Sequence, residues 1–253
     1  MRYLLAVLLL SLSLTSMAYK EYPISLDLWE PTDEDWNIVP IVERIHSNLS
    51  SVIRGRLDYA RRNKLLKGIS YTYEQEVLEK YENGQAVVKP MSVEISRMLI
   101  EVPFEKFVEN FKTADWGINL SQILGGEVLV YERESNELKR PVRQLERMVL
   151  TPFSCIDGDT AFNMDMTKVE VIKYEKLRHT VYWRVMFSDN KSTESDVGSV
   201  EFRSYESGKS ILVTFHSAHR LNLPGEIPMP HFLVRSYLKF FFLKHIENYK
   251  KMM

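Results

Sequence analysis

The chain has 253 residues, and its 33 Lys and Arg side chains against 34 Asp and Glu give a formal net charge of −1. Nucleic-acid-binding domains normally carry a basic excess, so this balance argues against a nucleic-acid partner. A hydrophobic content of 45% is enough for a sizeable core and argues against disorder. The single cysteine, Cys155, excludes an internal disulfide and a multi-cysteine metal site, and we expect neither a metal nor a cofactor.

The first residues differ in character from the rest of the chain. Arg2 gives a positive start, Leu4 to Leu14 are mostly apolar, and Ser16 and Ala18 place small residues around a cleavage site. This layout predicts a secretory signal peptide over residues 1–18, so we expect a periplasmic or secreted protein. An uncleaved membrane anchor is the alternative, although the apolar run is shorter than the roughly 20 residues that span a bilayer.

Residues 19–90 are predicted to be an N-terminal extension with one long amphipathic helix. Its apolar residues recur at three- and four-residue steps, which places them along one stripe: Val39, Val42, Ile45, Leu49 and Leu57. We expect this stripe to dock against the main body of the protein. Contact with a membrane surface is the alternative, because basic side chains cluster at Arg54, Arg56, Arg61 and Lys64.

A regular pattern follows Pro90. Residues 93–102 are predicted to form a strand, and Pro103 then begins a helix, because proline suits the first helical turn. Six further strands are predicted, over residues 127–132, 142–150, 167–174, 180–188, 198–205 and 210–220. Tight turns join many of them, which indicates an antiparallel meander. Within one strand Val200 and Phe202 alternate with Glu201 and Arg203, which is typical of a sheet with one face on the core and the other exposed to solvent.

The chain ends in a predicted long helix that begins near Pro228 and Pro230. Apolar residues such as Val234, Leu238 and Phe241 cover much of its surface. A helix this apolar has to be buried along much of its length.

Three stretches of sequence resemble the SRPBCC superfamily of START/Bet v 1-like and polyketide cyclase-like proteins. They are the strand and helix of residues 95–107, the hairpin of residues 198–215 and the loop of residues 223–228. The resemblance implies an α+β helix-grip domain over residues 91–253, in which a curved antiparallel sheet wraps around the long C-terminal helix. It also implies a hydrophobic cavity between the sheet and that helix.

Strand and helix periodicity selects the residues that would line this cavity. We expect the apolar walls to include aromatic and aliphatic side chains, and Arg147 and His219 to contact a ligand's polar group. The candidate ligand-binding residues are Arg147, Trp183, Val185, Phe202, Phe215, His219, Tyr237 and Phe241. The alternative is that these side chains fill a packed core.

The sequence contains no recognised catalytic motif, so no catalytic residue is assigned. The leading hypothesis is therefore an exported, non-catalytic binder or carrier of a hydrophobic small molecule, with a lipid as the favoured class. One alternative is a cyclase or dehydratase that uses His219 with Arg147 or Tyr182 as an acid–base pair. Another is an envelope protein-interaction module with a filled core. The oligomeric state is left open.

Overall fold

The computed structural model describes residues 29–82, 84–111, 123–128, 132–133, 136–149, 161–188, 193–223, 227–235 and 238. The predicted signal peptide lies outside these residues.

The described residues form a ten-stranded antiparallel sheet. Its strands are β1 (Ile69–Glu82), β2 (Gln85–Ile100), β3 (Ile123–Val128), β4 (Glu132–Arg133), β5 (Glu137–Val149), β6 (Ala161–Glu175), β7 (Arg178–Ser188), β8 (Thr193–Tyr205), β9 (Ser210–Leu223) and β10 (Ile227–Pro228). They are ordered β1-β2-β9-β8-β7-β6-β5-β3, with β4 beside β5 and β10 beside β9. Strands β5 to β9 follow one another as the predicted meander.

Helices lie on both sides of this sheet. They are α1 (Asp33–Trp36), α2 (Val39–Ser47), α3 (Ser51–Asp58), α4 (Arg62–Lys67) and α5 (Phe104–Phe111). A C-terminal helix follows, described over residues 231–235 and at Leu238. None of the helices in the described ranges is both long enough and apolar enough to cross a bilayer. The large curved antiparallel sheet with these helices confirms the predicted α+β helix-grip fold class.

The inner face of the sheet carries α5 and the described part of the C-terminal helix. Phe104 and Phe107 of α5 pack over Phe202 and neighbouring strand residues, a group that we call the α5 cluster. Near the other end of the strands lies a second group, the C-terminal cluster. It consists of Met166, Leu221, Met229, Val234 and Leu238. The two clusters place the apolar core of this face at its two ends.

The outer face is covered by the N-terminal extension. Ile41, Val42 and Ile45 of α2 are buried against residues of the sheet such as Val93 and Val197. The predicted docking of this apolar stripe on the main body is thus the arrangement found. Contact of the basic residues with a membrane surface stays a prediction.

The predicted single long helix of the extension is wrong. Within residues 29–68 the chain forms four short helices, and the break between α2 and α3 falls at Asn48–Ser50. Ser50 is extended and its hydroxyl accepts a hydrogen bond from the Ile53 amide, so it starts a new helix rather than continuing the old one. The apolar period alone does not detect such a cap.

The boundary predicted at residue 91 falls inside strand β2. Strand β1 pairs with β2 along its length, from Ile69 opposite Arg97 to Glu82 opposite Gln85. Polar residues and Pro90 break the alternation in this stretch, which hides the hairpin from pattern analysis. The last part of the extension therefore belongs to the same sheet as the rest.

Candidate functional site

A band of polar side chains crosses the inner face between the two apolar clusters. Cross-strand pairing places one row in register, in the order Arg140, Glu170, Trp183, Gly198, Ser217 and Glu94. Asp196 and His219 face each other in the next row. We call this the polar belt and define it as Arg140, Lys168, Glu170, Asp196, Ser217, His219, Glu94 and Ser96. Charged groups in such a place need partners or neutralisation.

One end of the polar belt is a buried ion cluster. Arg140 Nε lies 2.7 Å from Glu170 Oε2, and Lys168 Nζ lies 2.9 Å from Glu170 Oε1. Arg140 and Glu170 are almost inaccessible, with 1% and 2% of their side chains exposed. Burial alone would raise the pKa of Glu170, but the two cations outweigh it and lower this pKa to about 2. Glu170 is therefore a carboxylate at every physiological pH.

The middle of the belt is a hydrogen-bonded chain of three side chains. His219 Nδ1 lies 3.3 Å from Asp196 Oδ1, and His219 Nε2 lies 2.5 Å from Ser217 Oγ. The Trp183 indole N–H donates to the same Asp196 oxygen at 2.9 Å.

The pKa values of this pair are shifted by their mutual contact. Burial would lower the pKa of His219, but the Asp196 carboxylate and Glu94 outweigh it and raise this pKa. Burial would likewise raise the pKa of Asp196, but His219 and the Trp183 hydrogen bond lower it. Asp196 is thus held as the anion that orients His219.

Glu94 closes the belt on strand β2. Its Oε1 accepts hydrogen bonds from the hydroxyls of Ser70, at 3.0 Å, and Ser96. Its Oε2 is buried and has no hydrogen-bond partner. Burial is the main cause of a raised pKa at Glu94, which favours the protonated acid. A carboxyl group of this kind can donate a hydrogen bond into the interior.

Three apolar side chains beside the belt are only partly buried, although they lie on central strands. Trp183 and Phe215 have ring centroids 5.2 Å apart, at the edge of the α5 cluster. Val185 packs against the C-terminal cluster. Side chains at the centre of a tightly filled core are normally inaccessible. Their residual exposure places accessible apolar surface next to the belt.

The structure brings several of the predicted ligand-binding residues onto the inner face. Trp183, Val185, Phe202, Phe215 and His219 all lie there. Phe202 is fully buried, and its ring centroid lies 4.7 Å from that of Phe107, so it belongs to the core of the α5 cluster. The side chains of Arg147, Tyr237 and Phe241 lie outside the described residues.

The structure corrects one of the two partners predicted for His219 in the enzyme alternative, namely Tyr182. Tyr182 packs with the cluster on the outer face, so it cannot act with His219 across the sheet. His219 instead pairs with Asp196, a neighbour on β8. His216 lies on the outer face, where it stacks on His46, so His216 and His219 lie on opposite faces of β9, as a three-residue separation along a strand requires.

Of the residues of the polar belt, only His219 was among the predicted ligand-binding residues. Glu94 and Ser96 share the phase of Met98 and Ile100 on β2, and this period of two was the available signal for an inward direction. Asp196 shares the phase of Val200 and Phe202, but it lies before the predicted start of that strand at residue 198, and its contact with His219 follows only from the register between β8 and β9.

Comparisons with known proteins concern the fold. No family model matches the chain, and no curated protein matches it. Solved structures that match include START domains and a polyketide aromatase/cyclase, the classes named in the predicted resemblance.

Human StAR-related lipid transfer protein 5 is 11% identical, with a TM-score of 0.46 over 85% of this chain and 95% of that chain. Human STARD10 is 13% identical, with a TM-score of 0.48 over 89% of this chain and 80% of that chain. The Zhui aromatase/cyclase from Streptomyces sp. R1128 is 9% identical, with a TM-score of 0.43 over 64% of this chain and 92% of that chain. At such identities function has to be inferred from the residues of this chain.

Proposed function

We propose that the protein is an exported binder or carrier of a hydrophobic small molecule, with a lipid as the ligand class. The observation that supports this most directly is the partly accessible apolar surface of Trp183, Val185 and Phe215 beside the buried polar belt. Apolar walls with a few placed polar groups are typical of small-molecule sites.

The ligand chemistry follows from the two parts of this surface. An apolar tail would lie on Trp183, Phe215 and the adjoining clusters, where it removes apolar area from water. A polar head would lie at the belt, where Glu94 Oε2 is buried without a partner. A group that accepts a hydrogen bond from the Glu94 acid would satisfy this atom and gain orientation from it.

Export is supported by the leader pattern of residues 1–18. Expression of the full chain in a host with a secretory pathway, followed by N-terminal sequencing, tests this part. We expect a mature protein that begins at Tyr19. A cytoplasmic protein that retains Met1 and Arg2 would overturn export without affecting ligand binding.

Binding is tested by organic extraction of freshly purified protein and by titration with a fluorescent long-chain fatty acid. Trp183→Ala removes apolar wall from the inner face, and we expect it to weaken binding at least about tenfold, the equivalent of about 1.4 kcal/mol. Tyr182→Ala is the matched control, because Tyr182 is the preceding residue of the same strand, is also partly buried, and lies on the outer face. No extracted ligand and no titratable binding, or equal loss in both variants, would overturn the proposal.

A further inference from the structure

The hydrogen-bonded chain of the polar belt has the order of groups that activates a serine. Ser217 Oγ lies 2.5 Å from His219 Nε2, and His219 Nδ1 lies 3.3 Å from Asp196 Oδ1. A hydroxyl, an imidazole and a carboxylate in this sequence are recognised by geometry rather than by their order in the chain. We propose that Ser217 is the nucleophile of an ester-hydrolysing site, with His219 as its general base and Asp196 as a positioning residue.

The orientation of the His219 ring fits this assignment. Asp196 Oδ1 is an acceptor, so the proton of the neutral imidazole belongs on Nδ1, and Nε2 is left to accept the Ser217 hydroxyl proton. The Trp183 N–H holds the same Asp196 oxygen at 2.9 Å. The side chain that aims the base is therefore itself fixed, as nucleophilic catalysis requires.

Glu94 supplies the remaining element of such a site. It is the direct cross-strand neighbour of Ser217, and its Oε2 is buried without a hydrogen-bond partner. As a protonated acid it can donate a hydrogen bond to the oxyanion that forms when a serine attacks a carbonyl. The orphaned oxygen and the nucleophile thus lie on adjacent strands of the same face.

The surroundings define the substrate class as an ester with a long apolar acyl chain. Ser217 lies between the α5 cluster and the C-terminal cluster, and Trp183 and Phe215 offer accessible apolar surface beside it. This inference rests on the proposed function, because the acyl chain would occupy the same inner-face surface as a bound lipid.

The reaction needs water as its second substrate. Ser217 Oγ attacks the ester carbonyl and its proton passes to His219 Nε2, which then protonates the departing alcohol as the ester C–O bond breaks. Water, deprotonated by the same nitrogen, attacks the acyl carbonyl carbon, and the bond from this carbon to Ser217 Oγ breaks. His219 Nε2 then gives the proton taken from water to Ser217 Oγ, and a free carboxylic acid leaves.

A second serine–histidine contact in the same chain provides an internal control. Ser199 Oγ lies 3.4 Å from His46 Nε2 on the outer face. Burial lowers the pKa of His46 to about 4, with Arg54 as the second cause, so this histidine is a poor base. Ser199→Ala therefore removes a serine beside a histidine without touching the proposed nucleophile.

The test uses the full chain and an alkyl fluorophosphonate probe, with the labelled residue located by peptide mapping. We expect one phosphonate adduct, on Ser217, and we expect it in wild type and Ser199→Ala but not in Ser217→Ala. We also expect hydrolysis of p-nitrophenyl esters to favour decanoate over acetate. His219→Gln should lower this hydrolysis by about 10²–10⁴-fold, and Asp196→Asn should shift its pH profile.

The outcomes separate this inference from the proposed function. Absence of an adduct on wild-type Ser217, or equal ester hydrolysis by Ser217→Ala, overturns the catalytic assignment, and extracted ligand in the same samples leaves the binding function standing. Because peptide mapping is done on the wild type, it tests the assignment of Ser217 even if a variant fails to fold. Absence of both ligand and adduct overturns the two proposals together.

Discussion

The inner and outer faces of the same strands bury their polar groups in different ways. On the outer face Arg184 donates to the Asp35 backbone carbonyl at 3.2 Å and contacts its carboxylate, so a strand residue fixes the end of α1. On the inner face the polar belt is satisfied largely by its own members, and Glu94 Oε2 remains without a partner.

This contrast separates two uses of one sheet. Polar groups on the outer face join the extension to the strands and complete the fold. Polar groups on the inner face are held in place by neighbours on adjacent strands, and they lie beside a carboxyl oxygen without a partner and partly accessible apolar surface. Because successive side chains along a strand point to opposite faces, one strand can serve both purposes.

The largest expected effect is the loss of an inner-face charge. Arg140→Met leaves Glu170 buried with Lys168 alone, and breaking a buried pair in this way costs about 3–5 kcal/mol. Urea denaturation should show this decrease in the free energy of unfolding. Combining Arg140→Met with Glu170→Gln should recover much of the loss, and an unchanged single variant would contradict the buried-pair description.

A cavity on the outer face should lower the free energy of unfolding by nearly as much, without affecting the inner face. Ile41 of α2 is 1% exposed where it packs on the sheet, so Ile41→Ala should lower the free energy of unfolding by about 3 kcal/mol. Val52→Ala, at a position 61% exposed, should change it by less than about 0.5 kcal/mol. If Ile41→Ala released ligand while the unfolding free energy stayed constant, the separation of the two faces would be wrong.

The outer face should also be sensitive to acid. His46 and His216 stack with ring centroids 4.2 Å apart, and burial lowers both pKa values, that of His46 to about 4 from 6.5. The unfolded chain therefore binds a proton at His46 between pH 6.5 and 4 that the folded protein does not, so stability falls as pH decreases through this window.

His46→Phe keeps a stacked ring and removes this titration. The stability difference between variant and wild type, measured by denaturation, should move in favour of the variant by up to about 3 kcal/mol from pH 7 to pH 4. The comparison between the two proteins cancels the contributions of Asp196, Glu170 and His219. A constant difference over this range would show that His46 is not buried against the sheet.

The smallest effect concerns the contact between β8 and β9. A Cβ at Gly198 would lie 2.6 Å from Ser217 Cβ and 2.7 Å from the His216 carbonyl oxygen. Gly198→Ala should therefore destabilise the protein by about 1–3 kcal/mol and displace Ser217. Gly55→Ala, in helix α3 with open space around it, should instead stabilise it by about 0.5–1 kcal/mol in thermal unfolding.

Much of the sheet could be predicted from the sequence, because residues on a half-buried strand repeat every second position. Val200 and Phe202 are buried on the inner face and Arg203 is exposed, as their alternation indicates. The β1–β2 hairpin was missed because polar residues dominate its tip and Pro90 interrupts it. Local pattern fails where cross-strand pairing rather than burial holds the strands.

The site was less predictable than the fold, for a different reason. His219 could be directed inward from its phase with Ile211 and Val213, but its partner could not be identified. Asp196 lies opposite His219 in the regular β8–β9 register, which runs from Tyr205 opposite Ser210 to Ser195 opposite Arg220. A one-residue difference in the predicted register would place another residue opposite His219, and the sequence alone does not fix this register.

The length of the β1–β2 hairpin has a practical consequence for anyone who shortens this protein. A chain that started at residue 91 would lose β1 and leave the remainder of β2 as an edge with unpaired amides and carbonyls. Edges of this kind recruit foreign strands and promote aggregation. A soluble fragment has to begin upstream of Ile69, and retaining α2 would also keep the outer surface of the sheet out of water.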